Sequence, residues 1–498
     1  MTYRKVLSGV IVITMVVLFT SLVGAKEPKR ALKDNMVEIY NVLPGNAENF
    51  REVFTKGVVY GRLRTNYFKY IWDDNSKYDP KASALGGSLI YKLARLQGIS
   101  GTVGFYTSQN LGLLDNEDAR YGKSGKDCFS RYDVLKDGRW NMTVLAQAYL
   151  QYHFMESDLK LGRQIFESFL TSSNDTKMIP NTFSGISLVS EYLQKNTISL
   201  AYFDKQKLRD HTTFHDVITY GDGGSETYSN WANNDDSAVH QGLSYNNLLN
   251  GGKDTDNELL IAGINNKAVK NLELDFWYNG VPDLFYSLMG EVNYEILLGD
   301  GWSLTPGFRY MEQFDEGAGQ IGGAALTGVL AGVTGPAKGY DEANNVDGKL
   351  YGGRLVLKKG PGKLHFGYTY ITDDADLIAP WRGYPTGGYT RSMAQSNWEA
   401  DTRSWMTQVG YDFDKAGIIK GFRTALDFTR MDYDDKKERL GGTSTTDRHI
   451  IHADLWYKLP FFPELEAKGR IGLVNADTTT AGKDPSYDEF RFELNYLF

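Results

Sequence analysis

One cysteine, Cys128, is all that this chain of 498 residues contains. An intrachain disulfide is therefore impossible. That excludes the disulfide-scaffolded extracellular folds and argues against a structural zinc site built on cysteines. Past the N-terminus there is no long apolar run, which excludes a bundle of membrane-spanning helices. Neither sign of charge dominates: the net charge is −8, a mild acidity that gives no reason to expect nucleic acid as a partner. Apolar residues make up only 41% of the chain and the mean hydropathy is −0.40. Against these low values stand an aromatic content of 13%, with Tyr 32 and Phe 25, and 53 glycines. That mixture fits a membrane barrel, where only alternate residues of each strand face lipid. It fits a secreted β-sandwich as well.

Residues 1–25 have the form of a secretory signal. Arg4 and Lys5 supply the positive start, Val6 to Phe19 is nearly all apolar, and Val23 and Ala25 occupy the usual cleavage positions. Cutting after Ala25 leaves Lys26 first; an uncleaved anchor helix is the alternative. Residues 26–56 then read as a short periplasmic N-terminal lead, and 57–498 as one unbroken domain.

Within that domain hydrophobicity alternates with period two between polar loops. Val59, Leu63 and Tyr67 share one parity, and Arg62, Arg64 and Asn66 the other. Leu85 and Leu89 alternate with Ser88. Met142, Val144, Ala146, Ala148, Leu150 and Tyr152 are expected on one face, opposite Thr143, Gln147 and Gln151. Trp302, Leu304, Phe308 and Tyr310 oppose Arg309, and Phe366 and Tyr368 oppose His365 and Thr369. The segments run about 9–11 residues, the length of a tilted membrane crossing. In the last of them Phe490, Phe492, Leu494, Tyr496 and Phe498 alternate with Arg491, Glu493 and Asn495, and the chain stops on Phe498. A terminal aromatic strand of this kind looks like the signal read by the barrel-insertion machinery. In hydrocarbon an open sheet edge would leave backbone polar groups unsatisfied at several kcal/mol each, so such strands close into a barrel. Long polar stretches, among them 115–138, 221–236, 315–348 and 373–398, belong on the outer side, with short turns in the periplasm.

Several segments in order resemble one family. Gly61-Arg62-Leu63-Arg64 with Tyr67-Phe68, Ala84-Leu85-Gly86-Gly87 with Gly104-Phe105-Tyr106-Thr107-Ser108, Asp175 through Gly185, and Lys207-Leu208-Arg209-Asp210-His211-Thr212 are similar to stretches of the OprD family of outer-membrane porins, especially its epsilon-proteobacterial branch. The resemblance implies an all-β transmembrane antiparallel β-barrel of about 18 strands, monomeric or homotrimeric, in the outer membrane of a Gram-negative cell. It implies that the segment around Asp175 and Lys177 folds inward as a constriction loop. It also implies passive diffusion of small hydrophilic solutes, often carboxylate-bearing ones, past a ladder of basic residues. Outer-membrane lipid and lipopolysaccharide are the expected surroundings.

Parity nominates the ladder. The inward basic candidates are Arg62, Arg64, Arg309, Arg354, Lys358, Arg423, Lys468, Arg470 and Arg491. The acidic counterparts are Asp175, Glu291 and Glu295, with Lys177 on the constriction loop. A row of charges in a low-dielectric wall focuses its field into the pore, and guanidinium groups suit carboxylates through paired hydrogen bonds. The bland alternative for each arginine is an ion pair that merely fills the wall.

Other motifs lead nowhere stronger. His211 and His215 have helical metal-ligand spacing but lie in a strand or loop context. Asp373, Asp374 and Asp376 lack the calcium-loop pattern. Ser237 and His240 beside Asp235 and Asp236 raise the alternative of a barrel enzyme, a lipase or protease, without a Gly-x-Ser-x-Gly elbow. The glycines of 316–339 lack a phosphate-loop ending and suggest a mobile or folded-in loop. No catalysis, cofactor or metal is expected. A plugged structural or adhesion barrel remains a third alternative.

Overall fold

Period-two alternation dictates a sheet with one apolar and one polar face, and the chain builds one. The computed structural model describes residues 30–40, 44–112, 128–130, 133–134, 137–219, 240–327, 338–393, 397–439, 443–444, 446–479 and 482–498; the signal expected at 1–25 lies outside them. The first strands are β1 Arg30–Leu32, β2 Glu38–Tyr40, β3 Val58–Trp72, β4 Lys81–Lys92, β5 Ile99–Asn110, β6 Asn141–Phe154, β7 Ser157–Gln164, β8 Thr182–Ser190, β9 Asn196–Lys207, β10 Leu259–Asn266, β11 Leu272–Val281 and β12 Phe285–Tyr294. There follow β13 Ile296–Gly299, β14 Trp302–Asp315, β15 Gly348–Lys359, β16 Gly362–Ile371, β17 Arg403–Asp412, β18 Phe422–Asp432, β19 Glu438–Arg439, β20 Thr443–Ser444, β21 Arg448–Lys458, β22 Leu465–Ala476 and β23 Tyr487–Leu497.

All but β1, β2, β19 and β20 form one closed antiparallel barrel. Because β13 continues β12 along the same neighbour β14, the wall has eighteen crossings, as the resemblance implied. Closure joins the ends of the chain: β23 pairs with β3 in the register Asn495↔Arg64, and Phe498 and Gly61 exchange backbone hydrogen bonds of 2.9 and 3.1 Å. No backbone row of the wall is left for the acyl chains to desolvate.

Turns at one end are short, as at 155–156, 300–301 and 360–361. The connections at the other end include 165–181, 316–347 and 372–402. This asymmetry assigns the short-turn end to the periplasm. The outward rows carry Leu63, Leu89, Phe105, Phe308, Phe366, Leu426 and Phe428, all about half exposed for want of lipid, whereas Arg62, Asn66, Thr369 and Asp427 turn inward and are buried.

In one strand the alternation misleads. Met142, Val144 and Ala146 point inward, but Leu150 and Tyr152 are 60% and 45% exposed on the outside. The register shifts between Gly104 and Phe105 of β5, which face Gln147 and Leu145. One extra residue in β6 reverses every side chain beyond it. Glu295 falls in the gap between β12 and β13, across which the register against β14 runs on unbroken from Asn293↔Gly307 to Ile296↔Leu304, so it keeps the parity of Glu291; its amide donates to the turn carbonyl of Asn271 at 2.8 Å.

The interior is largely filled. Loops 165–181 and 372–402 fold inward and meet in a bridge between Thr171 and Arg382. Their apolar side chains, among them Leu170, Trp381 and Trp398, join Phe183, Phe203 and Phe285 of the wall in a buried core. The stretch expected as a lead beneath the barrel also differs. β1 and β2 form a hairpin whose tip touches Arg62 of β3, Arg423 of β18, Lys468 of β22 and Glu167 of loop 165–181. Those side chains all face the interior, so the hairpin lies in the lumen. Behind it a short helix, Phe50–Thr55, is capped by Asn49.

Candidate functional site

The inward face of β3 supplies the first cluster. Alternation places Arg62, Arg64, Asn66 and Phe68 in one vertical row. The constriction loop lies down on this row, as the resemblance implied for Asp175 and Lys177. The Asp175 carboxylate is clasped by Arg62 and, at 2.8 Å, by Arg64. Arg64 also reaches Glu493 of the neighbouring β23 at 2.7 Å. Asn66 donates to the Lys177 carbonyl at 2.8 Å, and the Lys177 ammonium lies 4.5 Å from the Phe68 ring centre. Both guanidinium groups are fully buried. Charges this deep persist only when paired and hydrogen-bonded, and here the partner is the loop itself.

A second cluster repeats the device across the barrel. Glu291 of β12 lies between Arg309 of β14, whose Nε donates at 2.7 Å, and Arg354 of β15, whose Nη2 donates at 3.0 Å. Arg309 also donates to the carbonyls of Pro385 and Gly387, and Arg354 to that of Gly388. The Tyr389 ring lies 4.6 and 4.8 Å from the two guanidinium carbons. These contacts hold loop 372–402 against the wall. Gly367 makes room for it, since a Cβ there would meet the Tyr389 carbonyl oxygen at 2.0 Å.

The segment 207–212 completes the constriction. Lys207 donates to the Pro180 carbonyl at 2.8 Å, Arg209 to the Thr176 hydroxyl at 3.0 Å, and Asp210 pairs with Arg382 at 3.5 Å. His211 and His215 lie 2.9 Å apart with His215 also bonded to the carbonyls of Asp216 and Thr219. Burial pushes both rings below the usual histidine range, His215 to about 4, so they act as packed neutral rings.

Of the remaining candidates, Arg491 stands opposite Phe68, on the extracellular side of Arg64, and the others lie along the wall toward the periplasm. Arg491 pairs with Glu489 of its own strand at 2.5 Å. Arg470 pairs with Asp454 at 2.5 and 3.1 Å, and Asp454 in turn lies 3.2 Å from His452. Arg423 and Lys468 flank Trp456 at 4.5 and 5.3 Å. Lys358 has no acidic partner among the described residues, and directly across from it stands Lys363. Sequence reasoning passed over Lys363, Lys458 and Trp456, although each has inward parity, because they stand close to turns where strand boundaries are hardest to place. Glu295 does not join Glu291.

The set-aside motifs can also be placed. Asp376 is buried and accepts from Leu326, Ala400 and Tyr340, which makes it a loop-holding residue. Asp373 lies with Asp401 and Asp434 in one acidic group, with the Lys437 ammonium 2.5 Å from Asp373. Ser237 lies outside the described residues. Both ring nitrogens of His240 are engaged by backbone, at Gly323 and Gly242. The glycine-rich loop is folded in where it is described, with Ala318, Ala324 and Ala325 buried.

The profile of one family, described as outer membrane porin, OprD family, matches residues 114–496. No curated protein matches. Among solved structures, OccAB3 of Acinetobacter baumannii is similar over 89% of this chain and 99% of its own, with 17% identity and a TM-score of 0.66. OpdK of Pseudomonas aeruginosa, solved with vanillate, is similar over 90% and 99%, with 16% identity and a TM-score of 0.64. OccK9 of the same organism gives 90% and 99%, 17% and 0.65.

Proposed function

The chain belongs to the OprD family of outer-membrane porins, and from that premise we propose that the solutes it passes are small, hydrophilic and anionic, carboxylates above all. The observation that carries this reading is the cross-strand pair Lys358 and Lys363. Like charges directly opposite destabilise a sheet. Two lysines kept there, exposed and in ion-pair contact with no acid among the described residues, suit a wall that attracts anions. Arg423 against Trp456 extends the same wall and offers a flat ring beside a cation, with the buried Lys468 behind it. Such a surface can hold an aromatic acid loosely enough to release it. The likeness to OpdK, solved with vanillate, agrees with this choice.

Diffusion past this wall needs no covalent step. A solute entering from outside passes the constriction between the two inward loops, then slides toward the lysines at the periplasmic rim. The field of the wall raises local anion concentration. The test is the reversal potential of single channels under a salt gradient. Lys358→Ala with Lys363→Ala should move it toward cations and weaken the block of ion current by small aromatic acids. An unchanged reversal potential sinks the anionic reading, and a chain that never conducts would favour a plugged barrel. We also propose that export removes residues 1–25, which N-terminal sequencing of the outer-membrane protein would show as a start at Lys26. The terminal strand ending at Phe498 is proposed as the segment that the insertion machinery reads.

A further inference from the structure

We infer that the N-terminal hairpin is a selectivity element of the pore's inner end, with Asp34 setting its charge. The hairpin is a built object rather than a loose strand. Its tip closes through Lys33 N–H to Val37 carbonyl at 2.9 Å, Met36 N–H to Lys33 carbonyl at 2.8 Å, and Val37 N–H to the Asn35 side chain at 3.2 Å. Met36 adopts φ +68, a costly conformation for a side chain of its size. Its surroundings hold it there: Met36 is 1% exposed, and its carbonyl accepts from Arg62 at 2.9 Å.

The anchors come from opposite sides of the lumen. Glu167 of the constriction loop accepts from Lys33 at 3.2 Å and from Asn35 at 2.5 Å. Across the interior, Lys468 donates to the Asp34 carbonyl at 3.4 Å, and Arg423 lies 3.1 Å from the Asp34 carboxylate. Tyr40 stacks on Tyr60 with centroids 4.6 Å apart, and Glu38 accepts from Ser88 at 2.7 Å. The hairpin thus bridges the pore and divides its cross-section.

One side stays open. Two cavities, of about 800 and about 380 Å³, lie between the tip and the wall of β16 to β22, and Asp34 and Arg423 line both. A solute at this height passes between the hairpin and a wall that carries Lys363, Arg423 and Lys458 together with Asp412, Asp414 and Glu466. Asp34 stands in that passage, 80% exposed. An ion pair so exposed contributes little to stability, and the buried tip contacts hold the hairpin without it. Its field, however, acts on whatever moves past. Asp34 therefore lowers the anion preference that Arg423, Lys363 and Lys468 would otherwise impose, and the hairpin narrows the exit.

The experiment compares full-length channels in planar bilayers with potassium chloride. Asp34→Asn should shift the reversal potential toward anions at unchanged conductance, and Asp34→Lys should shift it further. Deleting residues 30–40 should give the anion shift together with a higher conductance. If Asp34→Asn and Asp34→Lys both leave the reversal potential where it was, the assignment is overturned. Should the deletion fail to assemble, the two point variants still decide. The readout is ion preference with simple salt, so it stands apart from which solute the channel carries.

Discussion

Two groups of inward cations share the same wall and fare differently. At mid-barrel Arg62 and Arg64 clasp Asp175, and Arg309 and Arg354 clasp Glu291 and the carbonyls around Tyr389. Near the periplasmic turns Lys358, Lys363 and Arg423 face the same lumen and remain open to water or only lightly paired. The difference lies in what folds onto them. A guanidinium presents a rigid fork that can hold a carboxylate and several carbonyls at once, so the arginines became fasteners for two loops. Among the described residues no loop fastens on Lys358 or Lys363, and their charge is left to the pore. Inward parity therefore identifies a lumen residue but does not say whether it guides solutes or holds the constriction in place.

The hardest way to break this contrast is to remove an acid from the mid-barrel group. Asp175→Ala leaves two buried guanidinium groups short of their partner, and breaking a buried pair this way typically costs about 3–5 kcal/mol. The expected result is a released constriction loop, seen as larger and noisier conductance in a barrel that still shows its heat-dependent shift on gels. A quiet channel of normal size would mean that the arginines do not fasten the loop.

Gly367→Ala attacks the second loop without touching a charge. Its Cβ would meet backbone at 2.0 Å, whereas the same change at the outward Gly353 meets nothing within 4 Å. Protease cleavage within 372–402 on intact cells should rise for Gly367→Ala and stay flat for Gly353→Ala. Arg354→Lys is a milder probe. It keeps the charge but loses the fork, and the contact with the Tyr389 ring contributes about 0.5–2 kcal/mol at most. Here a small rise in current noise is expected with no change in ion preference.

The smallest effect should come from salt. The screening length falls from about 10 Å at 0.1 M to about 3 Å at 1 M ionic strength. Ion preference set by the exposed lysines should fade over that range, while the buried clamps, and hence the pore size, should hold. Preference that survives 1 M salt would assign selectivity to the clamped arginines instead.

Much of this was legible in the sequence. The alternation, the aromatic terminal strand and the loop lengths gave the barrel and its orientation, because a strand writes its two faces into adjacent residues. The inward parity of Arg62, Arg309, Arg354, Lys468 and Arg491 was readable for the same reason. The β6 reversal was not, since a bulge adds one residue without any compositional mark. Glu295 shares the parity of Glu291, but parity does not say which inward acid an arginine reaches. His211 and His215 carried a metal-like spacing that burial turned into packing.

What the amino-acid order determined by itself was local: which residues face lipid, which face water, and that the sheet must close. Which of the inward cations still meets a solute was decided by tertiary structure alone. Loops 165–181 and 372–402 and the hairpin at 30–40 settle on the wall through partners far away in the chain, such as Asp175 with Arg64 and Asp34 with Arg423. Contacts at that separation leave no periodic trace, because they depend on where the closed barrel brings distant strands together.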